Sequence, residues 1–341
     1  MKTYLERLTE GKSLTEQEME EASGKLFSES VSDSEIAAFL VSLKAKGETV
    51  EELSGLVKTL RKHSLRFTAK VPNAIDNCGT GGDGSKSFNI STASAFVIAG
   101  AGIPVAKHGN RSVSSKTGSA DVLEHLGVRL DLEVEATENI LAETGIAFLF
   151  APHVHPKIKR IMKVRKDLRI PTVFNLIGPL TNPIELDYQV LGIYRRDLTE
   201  KFAEVLKNLG RKKAVVLNGA GYMDEACLAG ENQLVILDNG HISKVMLHPH
   251  QVNLPVYDIE EIRGGDSREN AEILLSILKA DKGAHRDTVL LNAGIGIYTG
   301  GKAASIAEGV QLAAESIDSG AALEKLNRLV EACRKSAKAV I

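Results

Sequence analysis

The residues of this chain that are best suited to chemistry form a glycine-rich stretch from Asp76 to Gly84. It contains four glycines in six residues and lies at the C-terminal end of a strand predicted over residues 74–77. Glycines let backbone amides converge on an anion without side-chain clash. Open α/β sheets also bind ligands beyond the carboxyl ends of their strands. The stretch therefore predicts a phosphate-binding loop.

The loop is not one of the two commonest phosphate motifs. Three of its glycines satisfy G-x-G-x-x-G, but a dinucleotide site would start its helix at once and would carry an acidic residue at the end of the next strand. Here residues 85–89 intervene, and Lys107 and His108 occupy the acidic position. A Walker A loop is also excluded, because no G-K-[ST] follows. The pattern predicts a phosphate cradle of another kind.

Two further segments favour an anion at this edge of the sheet. Asn89 to Thr92 lead into a helix predicted over 93–99, and helix N-termini attract anions, although Ser91 or Thr92 would also cap that helix. A second strand is followed by residues 107–119, which contain three cations, four serines and a threonine. Such a loop offers charge-assisted donors to phosphate oxygens.

Adjacent carboxylates, Asp224 and Glu225, follow a strand predicted over 214–217. Such pairs are often only exposed charges. Beside two phosphate loops they predict a Mg²⁺ site, because Mg²⁺ prefers a few hard oxygens together with waters and substrate phosphates.

Two histidines, His153 and His155, stand two residues apart, but no carboxylate or cysteine accompanies them at metal-ligand spacing. They are interpreted as substrate contacts or packing residues. The following segment, 174–183, is rich in Gly, Pro and Asn. It is predicted to be a hinge or a pocket wall.

The elements that must position these residues fall into two groups. Residues 1–66 predict helices only, with apolar stripes that suit a core or a dimer surface. Three capping boxes mark the helix starts: Thr15 with Glu18, Ser32 with Glu35, and Thr49 with Glu52.

After Val71-Pro72 the pattern alternates between short apolar runs and helical stretches, which indicates an α/β fold with a largely parallel sheet. Asn239-Gly240 between two apolar runs predicts a β-hairpin over 234–247. The last hundred residues predict helices again. The other predicted strands cover 103–106, 146–150 and 189–194.

Composition narrows the function classes. A length of 341 residues suggests about two domains. The 42 basic and 44 acidic residues give a net charge of -2, which excludes a global basic field for nucleic acid or membrane. No apolar run reaches membrane-span length, and the polar first twenty residues do not resemble a signal peptide. Three cysteines without metal spacing fit a reduced, cytoplasmic compartment.

Taken together, the motifs resemble those of the anthranilate phosphoribosyltransferase family of the tryptophan pathway, nearly end to end. The resemblance is carried by Gly79-Thr80-Gly81-Gly82-Asp83, Phe88 to Thr92, Lys107 to Arg111, Val164-Arg165, Phe174 to Pro183, Asp224-Glu225 and Gly264-Gly265-Asp266.

The resemblance implies an α/β fold of the nucleoside phosphorylase/phosphoribosyltransferase type. A small N-terminal helical domain (1–66, on which helices near 165–185 could pack) would be joined by a hinge to a larger α/β domain (71–341) with a central, largely parallel sheet. It also implies a homodimer through the helical domains. Transfer of the phosphoribosyl group from phosphoribosyl pyrophosphate (PRPP) to anthranilate, with Mg²⁺, would be the reaction.

Site roles carry over from the family by position. The metal would be held by Ser91, Asp224 and Glu225. Lys107, Asn110 and Arg165 would position the reactants, and no general base is expected. The full implied substrate-binding set is Gly79, Gly82, Asp83, Ser87, Asn89, Ile90, Ser91, Thr92, Lys107, His108, Gly109, Asn110, Arg111, Ser112, Val113, Ser114, Ser115, Ser119 and Arg165. Of these, Gly79, His108, Asn110 and Arg165 would meet anthranilate.

The chain departs from the family pattern at two places. Asn218-Gly219 stands where a His-Gly pair often precedes the metal carboxylates, and 168–172 lacks the usual glycine and arginine. Two other interpretations remain open. A nucleoside phosphorylase would not need the carboxylate pair, and a non-catalytic nucleic-acid-binding relative would need a basic face.

Overall fold

The computed structural model describes residues 1–111 and 117–338. Four helices come first, and the three predicted capping boxes are all present at α2, α3 and α4. In the third box, Glu52 is fully buried and pairs with Lys46 at 2.8 Å. The helices are α1 (Lys2–Thr9), α2 (Glu16–Lys25), α3 (Asp33–Lys46) and α4 (Val50–Lys62).

A central sheet organises the rest of the described chain. Its order is β3-β2-β1-β4-β5-β6-β7. The first five strands of that order pair in parallel, and β6 and β7 add an antiparallel edge. The strands are β1 (Ile75–Asp76), β2 (Val105–Gly109), β3 (Ile146–Phe150), β4 (Tyr188–Gly192), β5 (Lys213–Asn218), β6 (Asn232–Asp238) and β7 (His241–Leu247).

Helices connect and cover these strands. They are α5 (Ile90–Gly100), α6 (Ser119–His125), α7 (Val134–Thr144), α8 (Ala151–Val154), α9 (Lys159–Leu168), α10 (Thr199–Asn208), α11 (Ser267–Leu278), α12 (Ala284–Thr299), α13 (Ile306–Asp318) and α14 (Ala321–Lys338).

The sheet separates two hydrophobic clusters. Alternate residues of one strand face opposite sides, so Val215 joins the cluster formed with α5 and α12, whereas Val216 joins the other cluster. That second cluster also contains Phe202 of α10 and the apolar stripes of α1–α4. The N-terminal helices therefore pack on one face of the sheet. Residues of α9 and the 174–183 segment, such as Val164 and Leu180, lie in the same cluster.

The predicted α/β fold with a small helical domain and a largely parallel sheet is confirmed. The hairpin is also confirmed, with Asn239 and Gly240 both at positive φ, as a type I′ turn requires. The prediction was less accurate for the second strand, which begins at Val105 and not at residue 103. Among the described residues, no helix is long and apolar enough to cross a membrane.

Candidate active site

The glycine loop leaves the carboxyl end of β1, as predicted, and β1 lies third in the order of seven strands. The Thr80 amide donates to the carbonyl of Gly192 at the end of β4, at 2.9 Å. Gly81 and Gly82 have φ of 66° and 80°, a region that non-glycine residues avoid. The Gly81 amide thereby points at Oδ2 of Asp224, 2.5 Å away.

The Asp224-Glu225 segment is enclosed by glycines from three separate parts of the chain. A Cβ at Gly79 would overlap Oδ2 of Asp224, one at Gly192 would overlap the Asp224 carbonyl oxygen, and one at Gly219 would overlap the Glu225 carbonyl oxygen. The position of the carboxylate pair therefore depends on the absence of side chains around it.

Burial gives this carboxylate pair an unusual charge state. The pKa of Asp224 is raised well above its ordinary value by burial and by repulsion from Glu225 and Asp83. Burial raises the pKa of Glu225 to about 7, although Lys107 and Ser91 oppose the shift. Asp83 lies close by and accepts the Asp224 amide at 3.4 Å. The carboxyl groups of Asp83, Asp224 and Glu225 therefore lie together with too little positive charge nearby to balance them.

The three predicted metal positions lie together. The backbone amide of Ser91 donates to Oε1 of Glu225 at 3.2 Å, and Asp224 directly precedes Glu225 in the chain. Within residues 1–111 and 117–338, no group of three or more His, Cys, Asp or Glu side chains could hold a metal ion. Mg²⁺ is usually bound by only one or two carboxylates, with waters and substrate phosphates completing the shell. The buried, mutually repelling carboxylates fit that mode of binding.

The segment from Asn89 to Thr92 lies differently from the sequence prediction. Helix α5 begins at Ile90, so Ser91 and Thr92 are inside its first turn and do not cap it. The Ile90 side chain is buried in the core, and its backbone amide donates to the Phe88 carbonyl at 2.8 Å. Asn89 is instead fixed by Asn270, whose Nδ2 donates to its Oδ1 at 2.9 Å.

Lys107 and His108 also differ from the prediction, because they belong to β2 and not to a loop. Both side chains are buried. Nζ of Lys107 donates to Oδ1 of Asn77 at 3.4 Å, and Nδ2 of Asn77 donates to the Ser91 carbonyl at 2.8 Å. One buried cation is thus linked through Asn77 to the first turn of α5.

A pair of buried histidines forms a second part of the site. His108 and His155 lie edge to face with ring centroids 5.4 Å apart. Burial lowers the pKa of His108 to about 3 and that of His155 to about 4, so both are neutral at pH 7. Nδ1 of His108 lies 3.2 Å from the Gly178 carbonyl, an arrangement that places the proton on Nδ1 and an acceptor lone pair on Nε2. His153 instead reaches the carbonyl of Leu132.

Arg165 projects from α9 against the 174–183 segment. Its Nη2 donates to Oδ1 of Asn175 at 3.2 Å, and its guanidinium lies 5.4 Å from the Phe174 ring. Burial lowers its pKa below the ordinary value. The same segment contacts His108 through Gly178. The predicted pocket wall therefore joins the arginine to the histidine pair.

The remaining predicted residues lie around the end of β2. Gly109 is packed so closely that a Cβ would lie 2.5 Å from Oγ of Ser119. Oγ of Ser119 donates to the Asn110 carbonyl at 3.2 Å. Arg111 is engaged with Asp121, at 2.6 Å, and with a second carboxylate, so its charge is already paired. Four predicted residues lie outside the described residues: Ser112, Val113, Ser114 and Ser115.

The exit of the glycine loop is held by the Gly264-Gly265-Asp266 motif. The Gly264 amide donates to the Lys86 carbonyl at 2.9 Å, and Ser87 bridges to Arg263. The same region reaches back to the strand ends, because Oγ1 of Thr117 donates to the Gly265 carbonyl at 3.2 Å.

Sequence reasoning did not identify the buried polar residues behind the site. Asp76 is fully buried, which raises its pKa to about 6. It accepts from the His108 amide at 3.2 Å and from Nδ2 of Asn182 at 2.9 Å. Asp76 and Asn77 begin the glycine stretch, and that position was the available signal. Asn270, far along the chain, carried none.

Comparison with known proteins shows which family the chain belongs to. The glycosyl transferase family helical bundle domain matches residues 2–64, and the a/b domain of the same family matches 71–323. An anthranilate phosphoribosyltransferase of Exiguobacterium sibiricum is 60% identical over 329 residues, covering 96% of this chain and 97% of that protein. The chain belongs to the anthranilate phosphoribosyltransferase family.

Other members of the family agree. The enzyme of Bacillus cereus strain AH820 is 55% identical over the full length of both chains. The crystal structure of the anthranilate phosphoribosyltransferase of Thermus thermophilus superposes on this chain with a TM-score of 0.93 at 38% identity. The match covers 97% of this chain and 99% of that one. A variant of the Saccharomyces cerevisiae anthranilate phosphoribosyltransferase in complex with 4-fluoroanthranilate superposes with a TM-score of 0.87 at 25% identity. The match covers 98% of this chain and 97% of that one.

Proposed function

We propose that this chain transfers the 5-phosphoribosyl group of PRPP to the amine of anthranilate, releasing pyrophosphate, as a step of tryptophan biosynthesis. The observation that carries the proposal is the meeting of the glycine loop with Asp224 and Glu225 at the carboxyl end of the sheet. Family membership and 60% identity to a curated relative of that name support it.

The reaction forms a bond between the amine nitrogen and C1 of ribose and breaks the bond from C1 to pyrophosphate. Negative charge grows on the leaving group while positive charge grows on the ribose ring. Donors aimed at the growing negative charge lower the barrier. The loop amides of Gly79, Gly82 and Asp83 and the buried ammonium of Lys107 are the groups proposed for this role.

Mg²⁺ held by Ser91, Asp224 and Glu225 would neutralise pyrophosphate charge when it is bound with the donor. The buried, unbalanced charge of the two carboxylates supports this role. Asp83, which lies beside Asp224, would add to the negative field that attracts the cation.

Anthranilate is proposed to lie between the histidine pair and Arg165. A guanidinium suits the substrate carboxylate, because its planar fork matches two oxygens. Nε2 of His108 is buried and without a hydrogen-bond partner among the described residues, so it can accept from the aromatic amine. That amine is already neutral at pH 7, and so positioning supplies most of the catalysis and no strong base is required.

Three further statements remain predictions. The helical domain is expected to end near residue 66, and a homodimer through it would be checked by analytical ultracentrifugation. A cytoplasmic location is supported by the three cysteines, all of which are free thiols.

The proposal is tested by following the loss of anthranilate fluorescence with the purified chain, PRPP and Mg²⁺. Each component is then omitted in turn. Loss of signal that requires all three supports the reaction. Phosphate-dependent cleavage of a pyrimidine nucleoside without Mg²⁺ would instead identify a nucleoside phosphorylase, and salt-dependent DNA binding without turnover would identify a non-catalytic relative.

A further inference from the structure

A cavity lies at the amino ends of the sheet strands, opposite the carboxyl ends that form the active site. Its volume is about 350 Å³. Three of its walls are the segments 70–72, 185–187 and 209–211, which precede β1, β4 and β5. The fourth wall is Arg61, near the end of α4. The cavity is therefore at the amino ends of parallel strands and between the N-terminal helices and the α/β body.

Arg211 is the most buried charged residue of this cavity, with an exposed fraction of 5%. Its Nε donates to Oε1 of Gln189 at 3.0 Å, and its Nη1 donates to the carbonyls of Leu186 and Leu209. Its Nη2 is buried and has no hydrogen-bond partner among the described residues. A buried guanidinium N–H without an acceptor is costly, and a small rotation of the Arg211 side chain toward the cavity would let a bound anion satisfy it.

Arg61 brings a second guanidinium to the same cavity. Its Nε is also buried without a partner in the described part of the chain, and its Nη2 makes a single long contact to the Ile184 carbonyl, 3.5 Å away. Burial and the charge of Arg61 together lower the pKa of Arg211 to about 9. The two cations repel each other, and an anion between them would turn that repulsion into attraction.

The other charges of the lining leave a positive excess. Lys70 is exposed at the rim. Asp187 is already engaged, because it pairs with Lys212 at 2.9 Å and accepts the Asn73 amide at 2.7 Å. Glu185 is exposed. Burial lowers the pKa of Arg61, and the opposing effect of the Glu185 charge is smaller.

We propose that this cavity is a second anion site, which binds a small tetrahedral oxyanion of the phosphate or pyrophosphate class between Arg61 and Arg211. The paired guanidiniums suit such an ion, because each presents planar N–H donors to two oxygens. The bound ion would cross-link the end of α4 to the segment that leads into β5. Binding there would tie the N-terminal helices to the α/β body.

The test measures phosphate binding by calorimetry and by the thermal midpoint in a Lys107→Gln background, which weakens the phosphate contacts proposed for the active site. Phosphate at 100 times its Kd should raise Tm by about 4 °C in a chain of this size. Arg61→Gln should weaken phosphate binding by about tenfold or more, the value of a charge-assisted hydrogen bond. Pyrophosphate is titrated in parallel to tell the two oxyanions apart.

Lys62→Gln is the matched control, because it removes the same charge one residue away, where Lys62 pairs with Glu20 outside the cavity. It should leave phosphate binding unchanged. Arg61→Gln should also leave Tm without phosphate equal or higher, since it relieves the repulsion of Arg211. The proposal is overturned if neither oxyanion binds in the Lys107→Gln background, or if Arg61→Gln leaves phosphate binding in that background as tight as before.

Discussion

Replacing Arg165 by alanine should raise the KM for anthranilate and leave the KM for PRPP nearly unchanged. Arg165 is half-buried on α9, and its contacts are to neutral groups: Asn175, Met162 and the ring of Phe174. Among the described residues it makes no ion pair. Its positive charge is therefore available to a carboxylate ligand, and the carboxylate of the proposed pair of substrates belongs to anthranilate.

The magnitude follows from the type of contact. A hydrogen bond to a charged group contributes about 1.5–3 kcal/mol, and partial exposure favours the middle of that range. A loss of about 2 kcal/mol corresponds to a roughly 30-fold higher KM. Arg165→Lys retains the charge but loses the planar fork, so its KM should fall between those of the parent and the alanine variant.

The assay is anthranilate fluorescence at varied concentrations of each substrate, with the other substrate saturating. Arg160→Ala is the matched control, because Arg160 lies on the same helix but pairs with Asp33 at 2.8 Å. It should change neither KM. Equal increases in both KM values for Arg165→Ala, or a fall in kcat alone, would refute the assigned role.

Three more outcomes are expected. Gly79→Ala should lower kcat/KM by about 100-fold and raise the Mg²⁺ concentration needed for half-maximal rate, since its Cβ displaces the Asp224 carboxylate; an unchanged Mg²⁺ dependence would contradict this. Lys46→Met leaves Glu52 buried without its ion pair and should cost about 3 kcal/mol in urea unfolding; a cost below that of a surface substitution would show that the pair is dispensable. Burial holds the pKa of His155 near 4, so stability is lost as the pH falls below the unfolded-state pKa of about 6.5. His155→Phe should therefore gain about 2 kcal/mol relative to the parent between pH 7 and pH 5, which unfolding at the two pH values will measure.

The sequence was sufficient to predict which segments form the site, but not which of their side chains are buried. Glycine and carboxylate motifs at strand ends could be placed, because the carboxyl ends of parallel strands meet at one edge of a sheet. Lys107 and His108 were predicted at the start of the loop that follows a strand ending at residue 106. They are buried in β2 because their partners, Asn77 and the Gly178 carbonyl, come from distant segments.

Strand limits show the same dependence on distant partners. The span of β2 is set by five paired positions along β3. No local pattern in 103–109 reveals that register. No helix was predicted over α7, and the helices predicted within the last hundred residues (271–278, 288–298 and 304–319) end before α14. The spacing of Leu326, Val330 and Cys333 in α14 is nevertheless helical, and two of these three residues are buried in the core. In that case the signal was present in the chain.

The shared cluster on one face of the sheet has a thermodynamic consequence. Leu56 of α4, Phe202 of α10 and Val216 of β5 belong to one continuous apolar cluster. Because neither the N-terminal helices nor the sheet can expose that face without losing the same buried surface, the two parts should melt in a single calorimetric transition. A chain cut after residue 70 should therefore give two fragments that fold only when mixed.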